Sequence, residues 1–308
     1  MSGPPSQTRR LLSPHFWKRL AVALAGTVIL LPTLVTLLLA DTYARIHTQP
    51  SCPGLFNSPA DLGLDYQEIT LTAPDGVQVP GWYVPGQNGA AIVAASGFNG
   101  NRSHALADFG FLAEAGYGLV VFEQRHCSQP GIPQTLGYNE ALDMVGAVDY
   151  LQAQDGVEHV GAIGFSAGGT STLLAAAQEP AIEAAVALGG YHNLEADMLD
   201  PQVEHGWYDA LMRRLIVASF KRQSGVHPRD ASPVDVVADI APRPLLLIYG
   251  EREPPNGHVL YEAARDPKEL WIVEGAGHGG YRGAAPEEYE RRVLAFFDEH
   301  LLSPTENP

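Results

Sequence analysis

Positive charge is scarce in this chain. Its 308 residues hold 19 Lys and Arg against 35 Asp and Glu, a formal net charge of −16. No cluster of Lys and Arg lies outside the N-terminus, which excludes nucleic acid as a partner. Cysteine is nearly absent, with only Cys52 and Cys127. No spacing of His, Cys and Asp resembles a zinc or calcium site, so no metal is expected. The Gly-rich turn at residues 164–169 lacks G-x-G-x-x-G and follows a late strand, not the first, which argues against a dinucleotide loop there. There is no internal repeat and no long low-complexity tract.

What is present suits one sizeable folded unit. The chain is 45% hydrophobic and 18% charged, enough apolar material for a large core. Its 32 Gly and 24 Pro fit a fold with many turns between strands and helices.

Charge is also unevenly placed. Residues 1–40 carry Arg9, Arg10, Lys18 and Arg19 and no acid. The remainder holds the other 15 basic residues and all 35 acidic ones, a net charge of −20. Between Leu20 and Ala40 lie 21 residues without a charge. A membrane span needs about 20 such residues. Pro32 is tolerated in a membrane helix, and Trp17 and Tyr43 flank the stretch as interfacial aromatics do. The reading is a single-pass anchor, with residues 1–19 cytoplasmic and the rest on the outer side. A cleaved signal peptide would have a shorter apolar run and a small-x-small site, and Leu38-Leu39-Ala40 is a poor one. A buried core helix is the third reading. Residues 41–64, broken by Pro50, Pro53, Gly54 and Pro59, read as a linker. Removal of residues 1–45 is then expected to release a soluble active protein.

From residue 65 the pattern alternates. Strands are predicted at 66–72, 77–84, 90–95, 118–122, 160–163, 184–188, 244–249 and 270–273. Helices are predicted at 103–115, 138–152, 167–177 and 286–301. This alternation predicts an α/β fold, with a mainly parallel central sheet and helices on both faces. Residues 190–240 interrupt it and are expected to form a short helical cap.

Gly164-Phe165-Ser166-Ala167-Gly168 matches G-x-S-x-G and sits between a predicted strand and a predicted helix. Such a turn has little room beside the Ser, which explains small residues around it. Ser166 then stands exposed, and the N–H of Ala167 can donate to an oxyanion. A nucleophilic Ser needs a base, and the base needs an orienting acid, in the chain order Ser, acid, His. The strand ending at 249 leads into Gly250-Glu251-Arg252-Glu253, and the next leads into Gly277-His278-Gly279. His278 is the candidate base, with His126, His192, His205 and His258 as weaker rivals.

The segments GFSAGG, PRPLLLIYGERE and EGAGHGG, with LAEAGYGLVVFEQRH and SPVDVVADIAPRPLLLI, resemble the α/β-hydrolases. The likeness spans roughly residues 65–302 and is nearest to bacterial serine aminopeptidase-like and dienelactone hydrolase-like enzymes. It implies Ser166 as nucleophile, Glu253 as acid and His278 as base, with Phe98 giving a second backbone oxyanion donor. Two departures stand out. The acid position is usually Asp in that family, and Glu251 rivals Glu253. The family's His-Gly after the third strand is replaced here by Ser96-Gly97-Phe98-Asn99-Gly100-Asn101.

The expected activity is acyl-enzyme hydrolysis of a small-molecule carboxylic ester, without cofactor. A peptidase or aminopeptidase on the same three residues is the alternative. A non-catalytic binding protein is the second. A free substrate amine would want a carboxylate, and the cap offers Glu195, Asp197, Asp200, Glu204 and Asp209, which does not discriminate. If the domain is exported, Cys52 and Cys127 could form a disulfide; two free thiols are the other reading.

Overall fold

A computed structural model describes residues 13–199 and 206–302. Arg9, Arg10, Asp200, Glu204 and His205, all invoked above, lie outside the described residues.

Eight strands form one sheet: β1 (Gln67–Thr72), β2 (Gln78–Val84), β3 (Ala90–Ala95), β4 (Gly118–Phe122), β5 (His159–Phe165), β6 (Ala184–Leu188), β7 (Leu245–Gly250) and β8 (Lys268–Val273). Their order is β1-β2-β4-β3-β5-β6-β7-β8. β1 and β2 pair antiparallel, as does β2 with β4. From β4 onward in this order, β4, β3, β5, β6, β7 and β8 are parallel to one another. β3, β4, β6 and β7 are buried along their whole length. Their uninterrupted apolar runs are what a strand covered on both faces requires. This is the mainly parallel sheet expected from the alternating pattern, in the α/β-hydrolase fold that the resemblance implied.

The longer helices are α1 (Pro14–Thr48), α2 (Arg102–Glu114), α3 (Glu140–Gln152), α4 (Ala167–Gln178), α5 (Trp207–Ser224), α6 (Asn256–Ala263) and α7 (Pro286–Phe297). α3, α4 and α6 cover one face of the sheet through Met144, Val148, Leu173 and Leu260. α2 and α7 cover the other through Leu106, Phe109, Val293 and Phe297. Residues 190–240 carry α5 and several short helical turns.

One boundary differs from expectation. The linker predicted to start at residue 41 begins as helix, because α1 continues to Thr48. Ala40, Ala44 and Thr48 fall at i, i+4 spacing and are buried. They face α5, and polar bonds fix the contact. Thr36 Oγ1 lies 3.0 Å from Tyr208 Oη. Gln223 Nε2 donates to Asp41 Oδ1 at 2.8 Å, and Thr48 Oγ1 donates to Gln223 Oε1 at 2.9 Å. Arg222 also pairs with Asp41. Pairings advance together along both helices, so they run in the same direction. A break at residue 45 would cut this packed turn, against the expectation of a dispensable tether. The N-terminal part of α1 is different. It is apolar and exposed, and α1 is long and apolar enough to cross a membrane, with a mean hydropathy of 2.4 over its best window.

Cys52 and Cys127 are joined by a disulfide that closes a loop of 75 residues. It ties the segment after α1 to the turn after β4. The two sulfurs and His126 come close together, but sulfurs bonded to each other offer no thiolate for a metal. Reduction, or Cys127→Ser, is expected to cost about 2–4 kcal/mol of stability. Thermal melts with and without dithiothreitol check this; coincident melts would contradict it.

Candidate active site

The turn from β5 into α4 sets the site. Ser166 has φ 58° and ψ −120°, a positive φ rare for a residue with a side chain. The turn holds this conformation with two backbone bonds. Ser166 N–H donates to Leu188 O at 2.7 Å, and Thr170 N–H donates to Ser166 O at 3.0 Å. The flanking glycines are sterically required. A Cβ on Gly164 would lie 2.2 Å from Gly168 O, and one on Gly168 would lie 2.5 Å from Ala95 O. The sharp turn leaves the Ser166 hydroxyl at the C-terminal rim of the sheet, where open α/β sheets bind ligands.

His278 reaches the same rim from the loop after β8. Its Nε2 lies 2.9 Å from Ser166 Oγ. Its Nδ1 lies 3.2 Å from Glu253 Oε2. Ser166, His278 and Glu253 thus form one hydrogen-bonded chain. Phe165 packs on the imidazole with ring centroids 4.9 Å apart. Gly189 leaves the ring its room, since a Cβ there would sit 3.0 Å from His278 Cε1.

Glu253, not Glu251, meets the imidazole. Glu251 turns outward and accepts from Gly275 N–H at 2.9 Å. The rival histidines are engaged elsewhere or exposed. His126 Nε2 lies 3.1 Å from Cys127 Sγ, His192 Nδ1 lies 2.5 Å from Asn256 Oδ1, and His258 is exposed.

Glu253 is nearly enclosed, with its side chain 5% exposed, whereas His278 is 51% exposed. Burial alone would raise the Glu253 pKa. Hydrogen bonds from His278, Tyr281 Oη and Gly250 N–H outweigh it and hold the carboxyl below its ordinary value. The Tyr281 hydroxyl is held protonated by burial and by the neighbouring Glu253 charge. Because the folded pKa of Glu253 lies below the unfolded one, its stabilising contribution is full above about pH 4.3. That contribution is lost as pH falls through the lower folded value. The melting temperature of wild type is therefore expected to exceed that of Glu253→Gln at neutral pH, with the gap closing on acidification. A gap independent of pH would refute this assignment of charge.

Two backbone segments adjoin Ser166. Ala167 opens α4, where the first N–H groups have no partner within the helix. Gly97 packs directly on Ser166, since a Cβ there would sit 3.1 Å from Ser166 Cβ. Phe98 follows Gly97. The Gln124 amide holds this loop, donating to Ser96 Oγ at 3.0 Å and to Gly97 O at 3.3 Å. From the other side, the Phe98 ring stacks on His47 of α1, centroids 5.3 Å apart.

Gln124, Tyr281 and His47 were not singled out from the sequence. Tyr281, three residues after His278, was the most accessible of them. Gln124 and His47 have no local motif, and only tertiary packing brings them to the loop.

Residues 111–303 match the model of the prolyl oligopeptidase family. The uncharacterized protein Rv2307c of Mycobacterium tuberculosis is 29% identical over 252 residues, covering 78% of this chain and 80% of that protein. Among solved structures, the esterase Pf2001 of Pyrococcus furiosus superposes with a TM-score of 0.68 at 22% identity, over 83% of this chain and 98% of its own. A puromycin-hydrolyzing peptidase of M. tuberculosis gives 0.59 at 21% identity, over 77% of this chain and 39% of its own. The family match takes in more than half of the chain, and this protein is a hydrolase of the prolyl oligopeptidase family.

Proposed function

We propose that this protein is a membrane-anchored serine hydrolase that cleaves carboxylic esters through an acyl-enzyme. The carrying observation is the relay from Ser166 Oγ to His278 Nε2 at 2.9 Å and from His278 Nδ1 to Glu253 at 3.2 Å. His278 takes the Ser166 proton as the oxygen attacks the ester carbonyl. The N–H groups of Ala167 and Phe98 receive the oxyanion. The ester C–O bond breaks, and the alcohol leaves with the proton from His278. Water, deprotonated by His278, then cleaves the acyl-enzyme to the carboxylic acid and free Ser166. Glu253 keeps the Nδ1 proton in place and stabilises the imidazolium. No step calls for a cofactor.

Residues 20–40 are the span in this reading, residues 65–302 the hydrolase domain, and residues 190–240 its cap. The positive N-terminus supports a cytoplasmic start and an outer catalytic side. The Cys52–Cys127 disulfide supports the same side, because disulfides persist in oxidising compartments.

A peptidase reading is favoured by one observation, the prolyl oligopeptidase family match. A panel of p-nitrophenyl esters and aminoacyl p-nitroanilides separates the two. Ester turnover well above anilide turnover is expected; the reverse order would replace the esterase reading by the peptidase one.

A further inference from the structure

A cavity of roughly 440 Å³ lies between α1 and α5. Its walls include Tyr43 and His47 of α1, Leu136, Met198, and Met212 and Ile216 of α5. The lining is mostly apolar, with a polar corner at the Arg213–Asp209 ion pair, 2.9 Å. We infer that this cavity receives the fatty acyl chain of a membrane-lipid ester, so that the anchor helix forms part of the substrate site. The inference rests on the serine esterase reading above and names its substrate class.

Three observations carry it. The first is proximity to the loop beside Ser166. His47 lines the cavity and stacks on Phe98. Leu136 also lines it and belongs to the apolar cluster on which Phe98 packs. Gly97, next to Phe98, touches Ser166. The cavity wall at His47 and Leu136 therefore backs onto the Phe98 side chain of that loop.

The second is continuity with the bilayer. Tyr43 and His47 lie only three and seven residues beyond Ala40, the end of the apolar stretch. That is roughly 5–10 Å along the helix axis. α5 starts beside the stretch itself, where Tyr208 meets Thr36. There Trp207 is 80% exposed, and Tyr208 and Leu211 are exposed as well. Exposed aromatics at that depth suit the membrane interface. A lipid moving out of the bilayer along α1 would meet the cavity first.

The third is chemistry. Burial in an apolar cavity grows more favourable with each methylene, so a long acyl chain gains most from it. Of the two cavity carboxylates, Asp209 is paired with Arg213 at 2.9 Å, and Asp197 lies 3.5 Å from the Asn256 amide. Neither is set aside for a substrate amine, as an aminopeptidase would need.

The test uses the full chain in detergent micelles, with p-nitrophenyl acetate and p-nitrophenyl laurate as probes. Ile216→Trp and Met212→Trp fill the cavity; both positions are partly exposed on α5, so neither change disturbs the core. Each is expected to lower kcat/KM on laurate by about 10-fold or more while leaving acetate within about 2-fold. Stoichiometric labelling by a fluorophosphonate shows that each variant is folded. An unchanged laurate-to-acetate ratio in both variants would overturn the inference while leaving the esterase reading intact. So would an equal loss on both substrates. Ser166→Ala is the separate control: laurate hydrolysis at the wild-type rate there would overturn the esterase reading itself.

Discussion

Ser166→Ala is expected to lower kcat by roughly 10⁶-fold, with fold and melting temperature nearly unchanged. The hydroxyl lies 2.9 Å from His278 Nε2. In the proposed mechanism, alanine removes the oxygen that would form the acyl bond and leaves the turn its shape. His278→Ala is expected to cost about as much, and the double variant no more than either single one. Groups that act as one unit lose their effect together. Additive losses would mean that the two residues act independently, which the geometry does not allow.

The largest expected loss of stability lies away from Ser166. Arg125→Met should cost about 3–5 kcal/mol. The Arg125 side chain is 2% exposed and grips Asp143, itself 1% exposed. Two bonds of 2.9 and 2.7 Å make the pair bidentate, and Asp75 accepts a third at 2.8 Å. Burial works against the guanidinium charge, but Asp143 and Asp75 outweigh it and keep Arg125 protonated. Removing the cation leaves a buried carboxylate without its partner. The damage should also spread to the site. Asp143 shares α3 with Glu140, which accepts from Thr135 and from Gly137 N–H. That loop packs on the first turn of α4 through Gly137 and Thr170. Urea unfolding of wild type and Arg125→Met measures the cost; a difference under about 1 kcal/mol would contradict the picture of a buried, fully paired charge.

Sequence patterns made the sheet legible because its strands are covered on both faces. Runs such as AAIVAA and GLVVF have no other stable use between turn residues. The β5–α4 turn was legible for a steric reason: contacts of 2.2 and 2.5 Å around Gly164 and Gly168 allow no side chain there. The choice between Glu251 and Glu253 was not legible from spacing alone. It follows from the turn after β7, where Glu253 folds back to accept from Gly250 N–H and aims its other oxygen at His278. The end of α1 was misread because Asp41 looked like the start of a polar linker. Its charge is matched by Arg222 and Gln223, nearly two hundred residues away, so the helix continues. No local pattern encodes that pairing. Gln124 and Arg125 were missed for the same reason: both act through partners on other elements.

The most direct measurement is mass spectrometry of the full-length protein after reaction with a fluorophosphonate. A single adduct is predicted on the peptide that carries Ser166, absent from Ser166→Ala and strongly slowed in His278→Ala. Equal labelling of Ser166→Ala, or no labelling of folded wild-type protein, would contradict the account.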